Sequence, residues 1–153
     1  MYPFLLTLHS LVRWAVVAAA AQALAVAWMG WLSARPYTPL GRRSAAILTA
    51  ALDLQIVVGL ALYLLASPIT RGALSAPGAA MGETQLRYWL VEHPALALAA
   101  VALAHVGSVR ARRAVAEVDR WRRAVAFFTA AAVAVAATVP WPFRAVHRAL
   151  WPW

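Results

Sequence analysis

Long apolar stretches alternate with short polar segments along the whole chain. A helix that crosses a bilayer needs about 20 mostly apolar residues, and four such stretches fit into this sequence. The pattern therefore predicts an all-α fold, an integral membrane four-helix bundle that forms a single domain over residues 1–153. The predicted helices cover approximately residues 4–32, 45–65, 86–109 and 124–139.

The polar breaks indicate where the helices begin and end. Prolines within residues 35–39 end the first helix, and Ser44 is the predicted N-cap of the second. Residues 67–85 hold most of the glycine and proline between spans, which predicts an irregular loop. Residues 110–123 are predicted to extend the third and fourth helices beyond the bilayer, and Pro140 ends the fourth.

Composition narrows the chemistry that the chain can perform. Apolar residues make up 64% and charged residues 12%, far from the balance of a soluble domain. Cysteine is absent, which excludes disulfides, thiolate metal sites, iron–sulfur clusters and covalently attached haem. The first apolar run is too long for a signal peptide and lacks a small-residue cleavage pattern, so we expect none.

The net charge of +9 comes from arginine, since the sequence contains no lysine. Three arginines lie in the first loop and six in the third, whereas the second holds Arg71 and Arg87 at most. The positive-inside rule therefore places the first and third loops in the cytoplasm of a bacterial inner membrane. Both termini would then face outward, with His147 and the Trp151-Pro152-Trp153 tail outside. Membrane lipid is the expected partner, and nucleic acid is not.

Polar and ionisable residues inside a membrane are costly, and each is a candidate for function. Histidines decide the interpretation, because neutral imidazole binds metal and a helical bundle can hold haem between imidazoles of two helices. The predicted spans contain few such residues: His9, Arg13, Gln22, Asp53, Gln55, Glu92, His93 and His105.

His9 and His93 are the predicted axial ligands of one haem b. Each lies near the outer start of its helix, so both fall in the outer half of the bilayer. Counted instead from Arg35 and Arg110, His9 lies about ten residues higher than His93, a mismatch that helix tilt would have to absorb. The alternative is that both are ordinary interfacial histidines.

Two further groups of residues extend this hypothesis. Arg13 follows His9 by four residues and shares its face, where it would meet a haem propionate or Glu92, or only reach the interface. His105 lies about 18 Å along the helix from His93 and cannot serve the same haem. A second site of His105 and Asp53 is possible, but a hydrogen bond between these two residues is favoured.

Short motifs on all four helices resemble those of a family of small bacterial four-helix membrane proteins, some of them labelled cytochrome b. The resemblance implies the same fold and a haem, and it retains His9 and His93 as candidate ligands. Relatives often carry a histidine where this chain has Asp53, which implies an inner haem in them. The matching motifs are Leu8-His9-Ser10, Arg13-Trp14, Gln55, Gly59, Leu62-Tyr63, Arg87, Glu92-His93-Pro94, Ala104-His105-Val106-Gly107 and Pro140-Trp141-Pro142-Phe143.

These observations lead to one functional hypothesis and two alternatives. The first is a membrane b-type cytochrome or cytochrome-like subunit, an electron carrier rather than an enzyme, between a quinone or partner and an outer acceptor. Hydrolytic and nucleotide-binding motifs are absent. The alternatives are a non-catalytic accessory subunit of a larger respiratory or photosynthetic complex and a small quinone-dependent oxidoreductase. The protein partner would be such a complex or further copies of the chain in a homo-oligomer.

Overall fold

The computed structural model describes residues 1–146, and His147 with the Trp151-Pro152-Trp153 tail lies outside the described residues. The described part is helical and contains no strand, as the apolar pattern predicts. Two π-helical turns, Leu62–Ala66 and Tyr88–Glu92, lie between α-helices. The α-helices are α1 Tyr2–Leu32, α2 Pro39–Ala61, α3 Pro68–Ser75, α4 Pro77–Gly82, α5 Thr84–Arg87, α6 His93–Arg113 and α7 Glu117–Thr138.

The end of α1 is followed by a residue with left-handed backbone geometry. Ala34 has φ 48°, and the Arg35 N–H donates back to the Gly30 carbonyl at 3.2 Å. This six-to-one bond is that of a Schellman motif, in which glycine usually occupies the left-handed position. Pro36 follows and cannot continue the helix, so the chain turns into α2.

Helix α2 begins six residues earlier than the sequence predicts. Its first residue is Pro39, preceded by an extended Thr38, because proline is pre-organised for the first helical position. The prediction of Ser44 as N-cap is wrong. Ser44 is buried inside the helix, and its hydroxyl donates to the Gly41 carbonyl at 3.0 Å.

The connection between α2 and α6 is more regular than predicted. Residues 67–85 contain the short helices α3 and α4, each of which starts with a proline, and the beginning of α5. Ser67 caps α3, since its hydroxyl accepts from the Thr70 N–H at 3.3 Å. Helix α6 continues to Arg113 and α7 starts at Glu117, so residues 110–123 are largely helical, and their place beyond the bilayer stays a prediction.

Small residues let the long helices approach closely. Helix α1 packs on α2 and α7, and α6 packs on α2 and α7, so the four helices form a closed ring. Ala23, Ala104 and Ala131 are completely buried where these helices meet. A Cβ on Gly107 would collide with Phe127, which shows how near α6 lies to α7.

Trp121 joins the two arginine-rich loops at one end of the bundle. Its ring is buried against Gly30 and Tyr37, and its indole N–H donates to the Arg35 carbonyl at 2.7 Å. The Tyr37 N–H donates to the Glu117 carboxylate. Burial raises the pKa of the Tyr37 phenol above its ordinary value, although nearby arginines act against this. We call this end, residues 33–43 and 110–123, the basic end.

Three helices of the described chain are long and apolar enough to cross a membrane: Tyr2–Leu32, Pro39–Ala66 and Thr84–Arg113. Helix α7 is not among them, because its first two turns carry Glu117, Asp119 and three arginines. Length and composition thus support a membrane protein with three candidate spans. A fourth span in α7 and the side on which the termini lie stay predictions.

Candidate functional site

A cavity of about 380 Å³ lies at the end of the bundle opposite the basic end. Helices α1, α2 and α6 surround it, together with the end of α7 and residues of α3 and both π turns. Most of its wall is apolar, and its volume falls in the range of small-molecule pockets. The polar or aromatic side chains on the wall that matter here are His9, Arg13, Gln55, Tyr63, Trp89 and His93.

The two histidines predicted as a pair meet in this cavity. The ring centroids of His9 and His93 are 6.1 Å apart, with the ring planes inclined at 59°. The mismatch in depth counted from the arginines disappears for a geometric reason. Gly30 of α1 lies against Trp121, and Gly107 of α6 lies against Phe127. Trp121 and Phe127 are six residues apart on α7, so Gly30 lies about 9 Å nearer to the basic end than Gly107 does. His9 therefore lies at about the same depth in the bundle as His93.

The end of α7 orients His93. The Nδ1 atom lies 3.0 Å from the carbonyl oxygen of Thr138, which is in the last turn of α7 and has no N–H partner within the helix. A carbonyl only accepts, so Nδ1 carries the hydrogen, and the lone pair of the neutral ring is on Nε2. The Tyr88 hydroxyl donates to the same carbonyl at 2.7 Å. A neutral histidine held in this way has the tautomer that metal-binding histidines use.

Gln55 and Gly59 on α2 hold His9. The Gln55 amide nitrogen lies 3.1 Å from the His9 carbonyl oxygen and 3.2–3.3 Å from the two ring nitrogens. The buried Oε1 atom of Gln55 has no hydrogen-bond partner among the described residues. An added Cβ at Gly59 would lie 3.2 Å from His9 Cε1, so glycine makes room for the ring.

The π turns before and after the connecting helices are tied together beside the cavity. Pro94 has no N–H, so the Leu90 carbonyl lacks its regular α-helical partner four residues on. The Tyr63 hydroxyl donates to that carbonyl at 2.9 Å. Thr70 then donates to the Tyr63 carbonyl at 2.8 Å, which links α3 to the same wall. Such π turns occur often at functional sites.

The two charged residues assigned to the site have different positions. Arg13 lies on the cavity wall with its guanidinium 5.6 Å from the ring centre of Trp14. Glu92 is not on the wall, and it forms an ion pair with Arg87 at 2.8 Å. Arg13 therefore shares the cavity with the histidine pair, whereas Glu92 pairs with Arg87.

His105 and Asp53 form the hydrogen bond that the sequence favoured. His105 Nε2 lies 2.8 Å from Asp53 Oδ1, outside the main cavity, and about half of each side chain is exposed. Gln55 is only two residues from Asp53 but points toward His9, because positions two apart are turned by about 200° on a helix.

Sequence reasoning assigned no role at the site to three residues that shape it: Gln55, Tyr63 and Thr138. A signal for two of them was present, since Gln55, Gly59 and Tyr63 recur every four residues and so share one face of a helix. Thr138 gave none. It acts through its backbone carbonyl, and any residue at the end of α7 would offer the same atom.

No protein family, curated protein or solved structure matches this chain. The resemblance drawn from its motifs therefore stays a prediction. Within residues 1–146 no three side chains of His, Asp or Glu come together as in a metal-ion site. A haem site with two histidine ligands needs only the pair in the cavity.

Proposed function

We propose that the protein is a b-type cytochrome that transfers single electrons, with His9 and His93 as the axial ligands of one haem. The observation that carries the proposal is the approach of two intramembrane histidines across an apolar cavity, with His93 already oriented by the Thr138 carbonyl. Two axial ligands leave no open position on the iron, which favours electron transfer over oxygen chemistry.

The residues of the cavity fit this group. Two imidazoles that bind one iron through nitrogen atoms at about 2 Å have ring centroids roughly 6 Å apart. The separation of 6.1 Å in this protein matches that arrangement. Arg13 on the wall supplies a positive charge for a propionate, and the apolar side chains around it exclude water. Haem supplies a reversible one-electron couple when bound.

The chain's own residues prepare the two ligands. Thr138 holds the hydrogen of His93 on Nδ1, which makes Nε2 the ligating atom. Gln55 keeps the ring of His9 beside the cavity through its amide Nε2, which lies 3.2–3.3 Å from the two ring nitrogens and donates to the His9 carbonyl oxygen at 3.1 Å.

We further propose that α7 is a fourth span and that both termini face outward from a bacterial inner membrane. Helix α7 packs along α1 and α6, so it shares their direction through the bilayer. The arginines of the basic end favour the cytoplasm for that end. The cavity then lies near the outer surface, which suits an outer acceptor and a quinone or partner as donor.

Haem content of matched histidine variants tests the site. We expect His9→Ala and His93→Ala to abolish low-spin haem, whereas His105→Ala, outside the main cavity, retains about one haem per chain. Each variant is first checked for helicity and a single size-exclusion peak in detergent. A folded His9→Ala protein with full haem content would overturn the assignment.

The half-exposed Asp53–His105 pair favours a second function, that of an accessory subunit in a larger complex. Both residues lie in candidate spans, where contact of a polar pair with lipid is costly. A partner helix of a respiratory or photosynthetic complex, or a second copy, would cover the pair. A colourless protein that co-purifies with a larger complex in fixed ratio would favour this function over the cytochrome.

A further inference from the structure

A second depression lies at the basic end, on the surface of α6 beside the start of α7. It has a volume of about 490 Å³ and is lined by six residues. We call it the arginine groove: His105, Val106, Val109, Arg110, Arg113 and Arg123. None of these residues lines the haem cavity, so the groove is independent of the proposed haem site, although its position at the membrane surface rests on the proposed topology.

The three arginines of the groove have no acidic partner among residues 1–146. The chain has five acidic residues, and four of them pair with side chains other than these three arginines: Asp53 with His105 at the edge of the groove, Glu92 with Arg87, Glu117 with Arg120, and Asp119 with Arg122. The fifth, Glu83, precedes α5 at the opposite end of the bundle. The groove therefore carries a local excess of positive charge that the described chain does not neutralise.

The groove also has an ordered cationic rim. Arg110 lies over the ring of Phe127, with 5.4 Å between its guanidinium carbon and the ring centre. Arg123 donates from Nη1 to the Arg110 carbonyl at 3.3 Å. These contacts hold two of the three guanidinium groups on the α6–α7 pair, and planar guanidinium forks bind phosphate oxygens well.

The floor of the groove is apolar. Val106 is 40% exposed and lies about one turn before Arg110 on α6, and Val109 lies about one turn before Arg113. The candidate span that contains α6 ends at Arg113. A ligand in the groove would thus meet hydrocarbon-facing valines at one end and cations at the membrane surface at the other.

We propose that the arginine groove binds an anionic phospholipid. Its phosphate contacts Arg110, Arg113 and Arg123, and an acyl chain lies along Val106 and Val109. Basic pockets at the cytoplasmic ends of membrane helices are suited to anionic head groups. Free phosphate shares the head-group chemistry but leaves the valines without a partner, so the lipid fits both parts of the groove.

Native mass spectrometry of the delipidated protein tests this proposal. The probes are phosphatidylglycerol, phosphatidylcholine and inorganic phosphate, and the test variant is Arg113→Gln/Arg123→Gln. The matched control is Arg42→Gln/Arg43→Gln, which removes the same charge from exposed positions in the first turns of α2. We expect the test variant to bind phosphatidylglycerol about tenfold more weakly and the control to bind it like the native protein.

Three results would overturn the proposal. Equal loss in both double variants would mean unspecific attraction to net charge. Equal binding of phosphatidylcholine would mean that the arginines do not select the head group. Competition by inorganic phosphate at the same concentration as the lipid would mean a plain anion site. Arg113→Gln alone, at the exposed last residue of α6, repeats the test if the double variant does not fold.

Discussion

At the scale of single residues, Gly59 is the point at which α2 comes nearest to the ring of His9. A Cβ added at Gly59 would lie 3.2 Å from His9 Cε1, which is closer than about nine in ten of the contacts that real Cβ atoms make. A larger side chain at Gly59 must therefore move the ring. Because the ring of His9 faces His93 across the cavity, the movement would change the separation on which a shared ligand depends.

We expect Gly59→Val to weaken haem binding by about tenfold or more, as other changes that reorient a metal-binding histidine do. The matched control is Gly72→Val, since an added Cβ at Gly72 would meet nothing within 4 Å. Haem titration of both apoproteins, followed by visible absorption, measures the effect. Equal affinities in the two variants would contradict the role of Gly59.

The candidate site could be predicted where its residues stand out chemically in an apolar span. His9, Arg13 and His93 lie on the cavity wall because an ionisable group inside a bundle faces the interior. The ion pair of Glu92 could not be anticipated, because it depends on the π turn that brings the side chain toward Arg87.

At the scale of elements, the wall beside the histidines depends on a proline and a tyrosine that compensate each other. Pro94 removes the N–H that would donate to the Leu90 carbonyl in a regular helix, and the Tyr63 hydroxyl donates instead. This bond fixes the end of α2 against the start of α6. It also explains how the helix tolerates an irregular turn next to the cavity.

We expect Tyr63→Phe to lower the free energy of unfolding by about 1–3 kcal/mol, the cost of an unsatisfied buried carbonyl. In a Pro94→Ala background the new N–H serves Leu90, so the same change should cost less than about 1 kcal/mol. Equilibrium unfolding in mixed detergent micelles measures both. An equal loss in both backgrounds would show that the hydroxyl does not compensate for the proline.

The apolar pattern predicted an all-helical fold with long apolar helices, but local chemistry set the ends of these helices. Helix α2 starts at Pro39 because proline favours the first turn, and α1 stops where Ala34 takes the left-handed geometry usually left to glycine. The prolines of the connection after α2 predict an irregular loop. At Pro68 and Pro77 they start helices instead.

At the scale of the whole molecule, the open question is how often the chain crosses the bilayer. Helix α7 is packed as closely into the ring as the other long helices, but charge in its first turns lowers its hydropathy. If α7 crosses, the segment after it lies on the same side as the connection between α2 and α6. If it does not, that segment lies on the side of loop 114–116, which joins α6 to α7.

Single-cysteine labelling decides between these topologies, because the natural chain contains no cysteine. Suitable exposed positions are Ala79, Val115 and Phe143. On intact cells a membrane-impermeant maleimide should label Ala79→Cys and Phe143→Cys, and Val115→Cys only after permeabilisation. If Phe143→Cys behaves like Val115→Cys, α7 does not span the membrane.

The central claim is that His9 and His93 bind one haem between them, and one measurement tests it most directly. It is the reduced-minus-oxidised visible spectrum of the protein purified in mild detergent, with the ratio of haem to protein. The cavity predicts sharp low-spin b-type bands at about one haem per chain, because it brings one histidine pair together. A protein that stays colourless after haem is supplied would contradict the claim.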